Sequence, residues 1–247
     1  MKFVSAIATG GFILALPILL VTANVRILAS DEGFYRRGLR EHDAAEATGI
    51  ALPELDRAAG EVVAYFENDA NTLRILVHEG GQEESLFNAR ETEHMKDVKS
   101  LMRALYRLNE VALAYVLTYI TAVFLWARER PLQALCRRAL LGVGAGFTVL
   151  GVVGAFALSG FDQFWTRFHE IVFRNDLWRL DPDSDRLIQM FPEPFWEEAT
   201  YIVGALTLVE AAAVVIVSVA YLLGTRQGPD LGAAPPRADA RRLRARS

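Results

Sequence analysis

Two of the four histidines in this sequence lie where their side chains could share acid–base chemistry. His94 precedes a charge-free run at 111–127, and His169 follows another at 139–161. Because imidazole titrates near neutral pH, one ring can accept a proton while a second donates a hydrogen bond. If the two runs lie side by side, both rings hang over one cleft. The alternative is two unrelated histidines satisfied by carbonyl groups or water.

The other two histidines are weaker candidates for catalysis, and the common catalytic motifs are absent from the sequence. His42 lies among charged residues and His78 at the edge of a predicted hairpin, so we expect both to be solvated. The sequence contains no Gly-x-Ser-x-Gly elbow, no His-Glu-x-x-His zinc motif and no glycine-rich phosphate loop. A zinc site formed by His94, His169 and a carboxylate is the alternative. We predict chemistry that uses no metal and no cofactor.

Four long apolar segments must position these histidines. They cover 3–25, 111–127, 139–161 and 199–225, and they hold one of the 56 charged residues, Glu210. A hydrocarbon core of about 30 Å needs roughly 20 apolar residues as a helix, so each segment is predicted to span a membrane. An intramembrane carboxylate is functional by default, and the alternative is a hydrogen-bonded structural glutamate.

Charge differs between the two sets of loops and predicts the orientation of the chain. One set, with Lys2, the connector and the tail, carries 11 basic and 3 acidic side chains. The opposite set carries 15 basic and 25 acidic side chains, with Glu110 and Glu210 at membrane level. Basic loops stay in the cytoplasm, so we expect both termini inside and all four histidines outside. The first run could instead be a secretory signal peptide, although it exceeds the usual apolar length.

These patterns predict an all-α polytopic membrane protein. Four transmembrane helices would carry a mostly helical extracellular segment that contains a short β-hairpin. The predicted order is a first span at 1–25, an extracellular segment at 26–108, a second span at 109–127, a cytoplasmic connector at 128–138, a third span at 139–161, an extracellular aromatic loop at 162–198, a fourth span at 199–225 and a disordered cytoplasmic tail at 226–247.

Shorter patterns predict individual helices and strands within the extracellular segment. Apolar spacing predicts a helix from Leu52 to Phe66, with Pro53 tolerated at its start. Two β-prone runs at 73–77 and 85–87 flank a Glu-Gly-Gly-Gln turn, which predicts the hairpin. A further helix is predicted to begin near Arg90 and to continue into the second span.

Three stretches of the sequence resemble signatures of the lipoprotein intramolecular transacylase (Lit) family. They are LFNARETEHMKDVK at 86–99, FHEIVFRNDLW at 168–178 and LDPDSDRLIQMFP at 180–192. The span layout and chain length are similar over roughly residues 1–225. The two stretches that contain histidine are the more specific part of the resemblance.

The resemblance implies a membrane acyltransferase of the bacterial cell membrane. Members move the sn-2 acyl chain of a diacylglyceryl lipoprotein to the α-amine of its N-terminal cysteine, which leaves a lyso-form lipoprotein. The motif match assigns catalysis to His94 and His169. It implies no cofactor, with diacylglyceryl-modified lipoproteins and membrane lipid as partners and no nucleic acid.

Five residues near the histidines are candidates for supporting or substrate-binding roles. Asp97 lies about one turn after His94 and could orient it, while the alternative is a solvated carboxylate. The others could bind the polar linkage of the substrate, form hydrogen bonds with the loop backbone or line the route of the acyl chain. We also expect the aromatic ring of Phe168 to line that route. They are Glu170, Arg174, Asn175 and Trp178.

Two other functions remain open at this point. The protein could be a non-enzymatic membrane sensor or accessory protein, or a metal-dependent membrane hydrolase. Convergence of His94 and His169 to within about 8 Å would favour the acyltransferase, because that distance admits one acyl group between the rings.

Overall fold

The structure is a computed structural model that describes residues 2–79, 81–126 and 131–226. Within these ranges the chain forms nine helices and one two-stranded sheet. In chain order they are α1 (Lys2–Ala29), α2 (Glu32–Glu41), α3 (Ala44–Thr48), α4 (Leu52–Glu67), β1 (Leu76–Glu79), β2 (Gln82–Ser85), α5 (Ala89–Trp126), α6 (Pro131–Ser159), α7 (Phe161–Val172), α8 (Arg186–Met190) and α9 (Glu193–Arg226).

Four helices are long and apolar enough to cross a membrane: α1, α5, α6 and α9. This confirms the predicted all-α polytopic membrane fold with its short hairpin. The 38 residues of α5 extend about 57 Å at 1.5 Å per residue, nearly twice a hydrocarbon core. Only its second half, from Val111, is free of charge. We therefore take 111–126 as its membrane-spanning part, with His94 outside it.

Small residues let the membrane helices approach closely. α1 contacts α5, α6 and α9. Gly142 and Gly146 of α6 face α1, and a Cβ at Gly146 would lie 2.6 Å from the Cβ of Pro17. Close packing at such small-residue positions stabilises helices in lipid, where no hydrophobic driving force joins them.

Residues 30–110 and 160–192, which we call the cap, form a separate layer with its own apolar core. The predicted helix at 52–66 corresponds to α4, whose Leu55, Ala59, Val62 and Val63 are buried as the spacing indicated. That core also includes side chains of α2, α8 and the start of α9, among them Leu39, Met190 and Phe195. A substantial core thus holds the cap without a disulfide, since the single cysteine, Cys136, is free.

The hairpin is confirmed, with strands closer to the turn than the two β-prone runs suggested. Val77 pairs with Glu84, and Glu79 with Gln82. Leu73, Ile75 and Val77 are buried, but all four residues of β2 are exposed. The buried apolar run therefore starts before pairing begins, and the exposed polar run supplies the second strand. Gly81, at φ 85°, occupies the left-handed region that the tight turn requires.

Parts of the predicted connecting segments have a different form or lie outside the described residues. Residues 131–138 of the connector are the first turns of α6, and the aromatic loop contains α7 and α8. The predicted tail beyond residue 226, the connector residues 128–130 and residue 127 of the predicted second span are outside the part of the chain that the structure describes.

Candidate active site

His94 lies in the second turn of α5, and the start of that helix is firmly held. The Asn88 side chain accepts a hydrogen bond from the backbone N–H of Glu91 (3.0 Å), and the Glu91 carboxylate accepts one from that of Asn88 (2.7 Å). This reciprocal pair satisfies two backbone donors at the helix N-terminus. It fixes where α5 begins, and hence where His94 points.

Glu91 also connects this turn to a distant segment. Its second carboxylate oxygen accepts a hydrogen bond from the backbone N–H of Leu187 (2.6 Å), and the side chain is 1% exposed. The amide of Asn88 donates to Asp185 (2.7 Å), just before α8. Burial raises the pKa of Glu91, while the backbone N–H groups act in the opposite direction. Sequence reasoning missed these residues, although Asn-x-x-Glu ahead of an apolar run is a readable helix start.

His169 is presented by the amphipathic helix α7, which follows α6 after a break at Gly160. Its Nδ1 lies 2.8 Å from the carbonyl oxygen of Trp165, one turn earlier. A carbonyl only accepts hydrogen bonds, so Nδ1 carries the proton and Nε2 keeps its lone pair. The helix backbone therefore fixes the tautomer of His169. Trp165 was not predicted, but the i−4 position on α7 would have indicated it.

The two imidazoles converge as expected. Their ring centroids lie 6.2 Å apart with the planes inclined at 36°, inside the predicted 8 Å. Phe173 contacts both rings, at 5.2 Å from His94 and 5.4 Å from His169. Trp165 lies edge-on to His169 at 4.6 Å, and Trp178 lies against it at 4.9 Å. The pair is thus enclosed largely by aromatic rings.

This enclosure keeps both imidazoles neutral. His94 is 6% exposed and His169 is 7% exposed. Burial lowers the pKa of His94 to about 4, and proximity to His169 adds to the effect while Asp97 opposes it. Burial also lowers the pKa of His169, against the hydrogen bond to the Trp165 carbonyl. Both rings are therefore uncharged at neutral pH and can each exchange a proton.

One buried nitrogen at this site has no hydrogen-bond partner within the described ranges. It is Nδ1 of His94. A buried polar atom left unpaired in this way costs free energy, so such atoms are rare and often functional.

The supporting candidates fall into three groups. Asn175 donates a hydrogen bond to Asp97 (2.8 Å), which ties the loop after α7 to α5 and holds Trp178 over His169. Glu170 forms ion pairs with Arg167 (2.6 Å) and Arg179 (3.9 Å) on the exposed side of α7. Arg174 is exposed and forms no hydrogen bond or ion pair with other described residues. Only Asp97, Asn175 and Trp178 are joined to the histidine pair.

The other two histidines lie elsewhere. His78 is on β1, with its side chain 66% exposed and 3.8 Å from Glu54. His42 follows α2 and packs edge-on against Phe195 at 6.4 Å. Across residues 2–79, 81–126 and 131–226, no three His, Cys, Asp or Glu side chains are grouped as a metal site would require.

Comparison with known proteins gives a family match and a structural match. The family model described as lipoprotein intramolecular transacylase Lit matches residues 11–196. The in meso structure of the membrane integral lipoprotein intramolecular transacylase Lit from Bacillus cereus is 14% identical, with a TM-score of 0.71 over 92% of this chain and 100% of that chain. A form of that protein with one histidine replaced by arginine gives 0.69 at 14% identity, over 91% and 95%. The corresponding alanine form gives 0.70 at 13%, over 92% and 97%. No curated protein matches this sequence.

Proposed function

This chain belongs to the lipoprotein intramolecular transacylase family and is an acyltransferase, and from that premise we propose its reaction and its catalytic groups. It moves the sn-2 acyl chain of a diacylglyceryl lipoprotein to the α-amine of the N-terminal cysteine. His94 and His169 carry the proton transfers. The observation that carries this proposal is the pair of buried, neutral imidazoles 6.2 Å apart.

The reaction balances within one substrate. The cysteine α-ammonium, with a pKa near 8, first releases one proton to the surrounding water, and the free amine, which still carries two, attacks the ester carbonyl. A nitrogen–carbon bond forms, the carbon–oxygen bond to glycerol breaks, and the proton from nitrogen reaches the glycerol oxygen. No water and no cofactor enters the sequence of steps. Because nucleophile and ester belong to one molecule, holding them together supplies much of the acceleration.

The surroundings of the two rings support different roles for them in this proposal. The Trp165 carbonyl leaves Nε2 of His169 free to take the amine proton, and the same carbonyl stabilises the imidazolium that forms. His169 is therefore the base. His94, with its pKa lowered to about 4, stays neutral and donates a ring N–H to the developing oxyanion.

The aromatic walls protect the reaction from hydrolysis. Phe173, Trp165 and Trp178 cover the rings and exclude water, which would otherwise compete with the amine for the ester. Asp97 and Asn175 act as a positioning pair, because their hydrogen bond holds the loop that carries Trp178. Glu170, which is paired with Arg167 and Arg179, and the exposed Arg174 lie farther out.

The charge of the loops supports a placement of the site on the extracellular face of a bacterial cell membrane. The short connector and the tail are rich in arginine, as the positive-inside rule requires of cytoplasmic segments, and the cap carries an excess of acidic side chains. Lipidated protein termini are displayed on that face. Both chain termini would then be cytoplasmic.

The test is conversion of a lipoprotein in living cells. The protein is expressed in a bacterium that lacks N-acylated lipoproteins, and N-terminal lipopeptides are analysed by mass spectrometry. We expect the α-amine of cysteine to gain one acyl chain and the glycerol to lose one, with no net change in mass. Fragmentation locates the chain. An unchanged diacylglyceryl terminus would refute the transacylase reaction.

The two other functions considered from the sequence predict different results. A sensor would leave all lipopeptides unchanged. A metal-dependent hydrolase would release free fatty acid and lower the lipopeptide mass. Activity that persists in chelator, with the acyl chain retained on nitrogen, would fit only the transacylase.

A further inference from the structure

We infer that the migrating acyl chain lies along the outer edge of α7 and reaches the histidines from the lipid-facing surface of α6. This inference rests on the proposed function and names the subsite that would hold the chain. The outer edge consists of Phe164, Phe168 and Ile171, and Phe156 of α6 precedes it. Three observations support the route.

The first observation is the exposure of α7. At 100° per residue, its apolar side chains cover one continuous arc, with His169 at one margin and Ile171 at the other. Ile171 is 83% exposed, although it belongs to the cap, and Phe164 and Phe168 are half-buried. A helix of this kind lies in the membrane interface with its apolar side in the acyl region. The exposed margin of α7 is therefore expected to face lipid.

The second observation is continuity with the membrane surface. Phe156, 44% exposed on α6, contacts Phe164 edge-on at 5.9 Å. Val152, one turn earlier on the same side of α6, is 69% exposed. The contact between Phe156 and Phe164 contains no polar side chain. An acyl chain that lies against α6 can therefore continue onto α7 over apolar surface.

The third observation is continuity with the catalytic rings. Trp165 stacks on Phe168 at 5.2 Å, and Phe168 lies edge-on to His169 at 5.3 Å. The 12 residues of α7 extend about 18 Å, comparable to a long acyl chain. Trp178 covers the other side of the His169 ring and is held there by the Asp97–Asn175 hydrogen bond. Trp178 thus covers one side of the ring, while Phe168 connects the ring to the outer edge of α7.

The test compares chain lengths and then locates the chain. Initial transfer rates are measured in vesicles for synthetic diacylglyceryl lipopeptides that bear C16 or C8 chains. We expect Phe164→Ala, at the part of the edge that does not contact His169, to slow C16 transfer about tenfold and C8 transfer less than twofold, because only the long chain covers the whole edge. The matched control is Phe147→Ala, an exposed phenylalanine of α6 remote from α7, which should change neither rate. Equal losses for both chain lengths would overturn the subsite.

A second measurement does not need catalysis. The His169→Ala protein is irradiated with the C16 lipopeptide carrying a diazirine at the chain end, and the labelled peptides are sequenced. Label at 156–171 supports the route. Label confined to α5 or to 194–205 of α9, or no label in the protein, refutes it. Failure of the native protein to transfer any chain would instead refute the proposed function, and the labelling result would stand independently.

Discussion

The buried polar side chains of the membrane bundle and those of the histidine site differ in whether their hydrogen bonds are complete. In the membrane bundle, the amide of Asn24 on α1 bonds with Thr207 (3.1 Å) and Glu210 (3.0 Å) of α9. Where the cap meets the bundle, the amide of Asn109 on α5 donates to Thr22 (3.1 Å) of α1. These contacts join α1 to α5 and α9.

The histidine site shows the opposite pattern. Nδ1 of His94 has no partner among the described residues, and Nε2 of His169 is left with its lone pair because Nδ1 makes the bond. Around the two rings lie aromatic side chains, which offer little hydrogen bonding. The difference teaches that the completed polar contacts of the bundle join helices, whereas the two imidazoles keep unpaired nitrogen atoms that acid–base chemistry could use.

This comparison decides how to interpret Glu210. From the sequence, that glutamate could have either a functional or a structural role. Its hydrogen bond with Asn24 joins α9 to α1 at membrane depth, where an unpaired polar group would cost several kcal/mol. We therefore assign Glu210 to helix association and not to catalysis.

The largest expected effect comes from replacing either of the two histidines, whose hydrogen bonds are incomplete. His94→Ala or His169→Ala should slow acyl transfer about 10³-fold, because each removes one partner in proton transfer or oxyanion binding. Initial rates with a defined lipopeptide measure this, and His78→Ala serves as the control because its side chain is exposed on the hairpin. Full activity in either variant would remove the distinction between the two regions.

The next largest effect should be a loss of folding stability at acidic pH. Since burial lowers the pKa of His94 from 6.5 to about 4, the unfolded chain binds a proton between those pH values while the folded protein does not. Stability is therefore present above pH 6.5 and falls as the pH drops towards 4. For His94 the loss amounts to about 3 kcal/mol.

The pH effect is measured by unfolding the protein in detergent across that range. His94→Phe keeps an aromatic ring but has no titratable group, so its stability should decline by about 3 kcal/mol less. The His78→Ala control should follow the native curve. Parallel curves for His94→Phe and the native protein would mean that the ring is not held neutral by burial.

Replacement of Glu91 should have a smaller effect. The hydrogen bonds of its carboxylate are complete, like those of the bundle, but it lies one turn from His94. It therefore tests the distinction between the two regions. In Glu91→Gln the amide would turn its N–H₂ towards a backbone N–H, so a buried donor loses its partner. We expect the free energy of unfolding to fall by about 2 kcal/mol. Transfer should slow about tenfold as α5 shifts.

The matched control for that experiment is Glu93→Gln, an exposed glutamate of the same helix paired with Lys96 at 3.3 Å. It should leave both stability and rate unchanged. If Glu91→Gln lowers stability while the transfer rate of the folded fraction is retained, Glu91 holds the cap but does not position His94.

The smallest effect is expected in the bundle. Glu210→Leu removes the acceptor for Asn24, and contacts of this kind contribute about 0.6 kcal/mol in lipid. Thermal unfolding should shift slightly, with the transfer rate within twofold of the native protein. A large loss of rate without a loss of stability would show that Glu210 takes part in the reaction.

Part of this architecture was predictable because lipid imposes strict demands on sequence. Charge cannot be scattered through a membrane span, so the run at 139–161 located α6 to within a few residues at its outer end. The pairing of His94 with His169 followed from their positions next to two such runs. The apolar face of α4 followed from helical spacing.

Other features depend on contacts between remote residues and leave no local pattern. The Leu187 N–H that binds Glu91 lies 96 residues later in the chain. α3 and α8 have five residues each, too few for a periodic signal, and they are held by the cap core. The register of the hairpin follows from burial of Leu73 and Ile75 before pairing begins, which only the assembled core decides.

The contact that selects the tautomer of His169 has a consequence for mutational scanning. The acceptor is a backbone carbonyl, so every residue type at position 165 supplies it equally. An alanine scan of α7 would report the loss of the Trp165 ring and would not register the proton placement at all. That function is encoded in the pitch of the helix, and an insertion or deletion between 165 and 169 would reveal it where no substitution could.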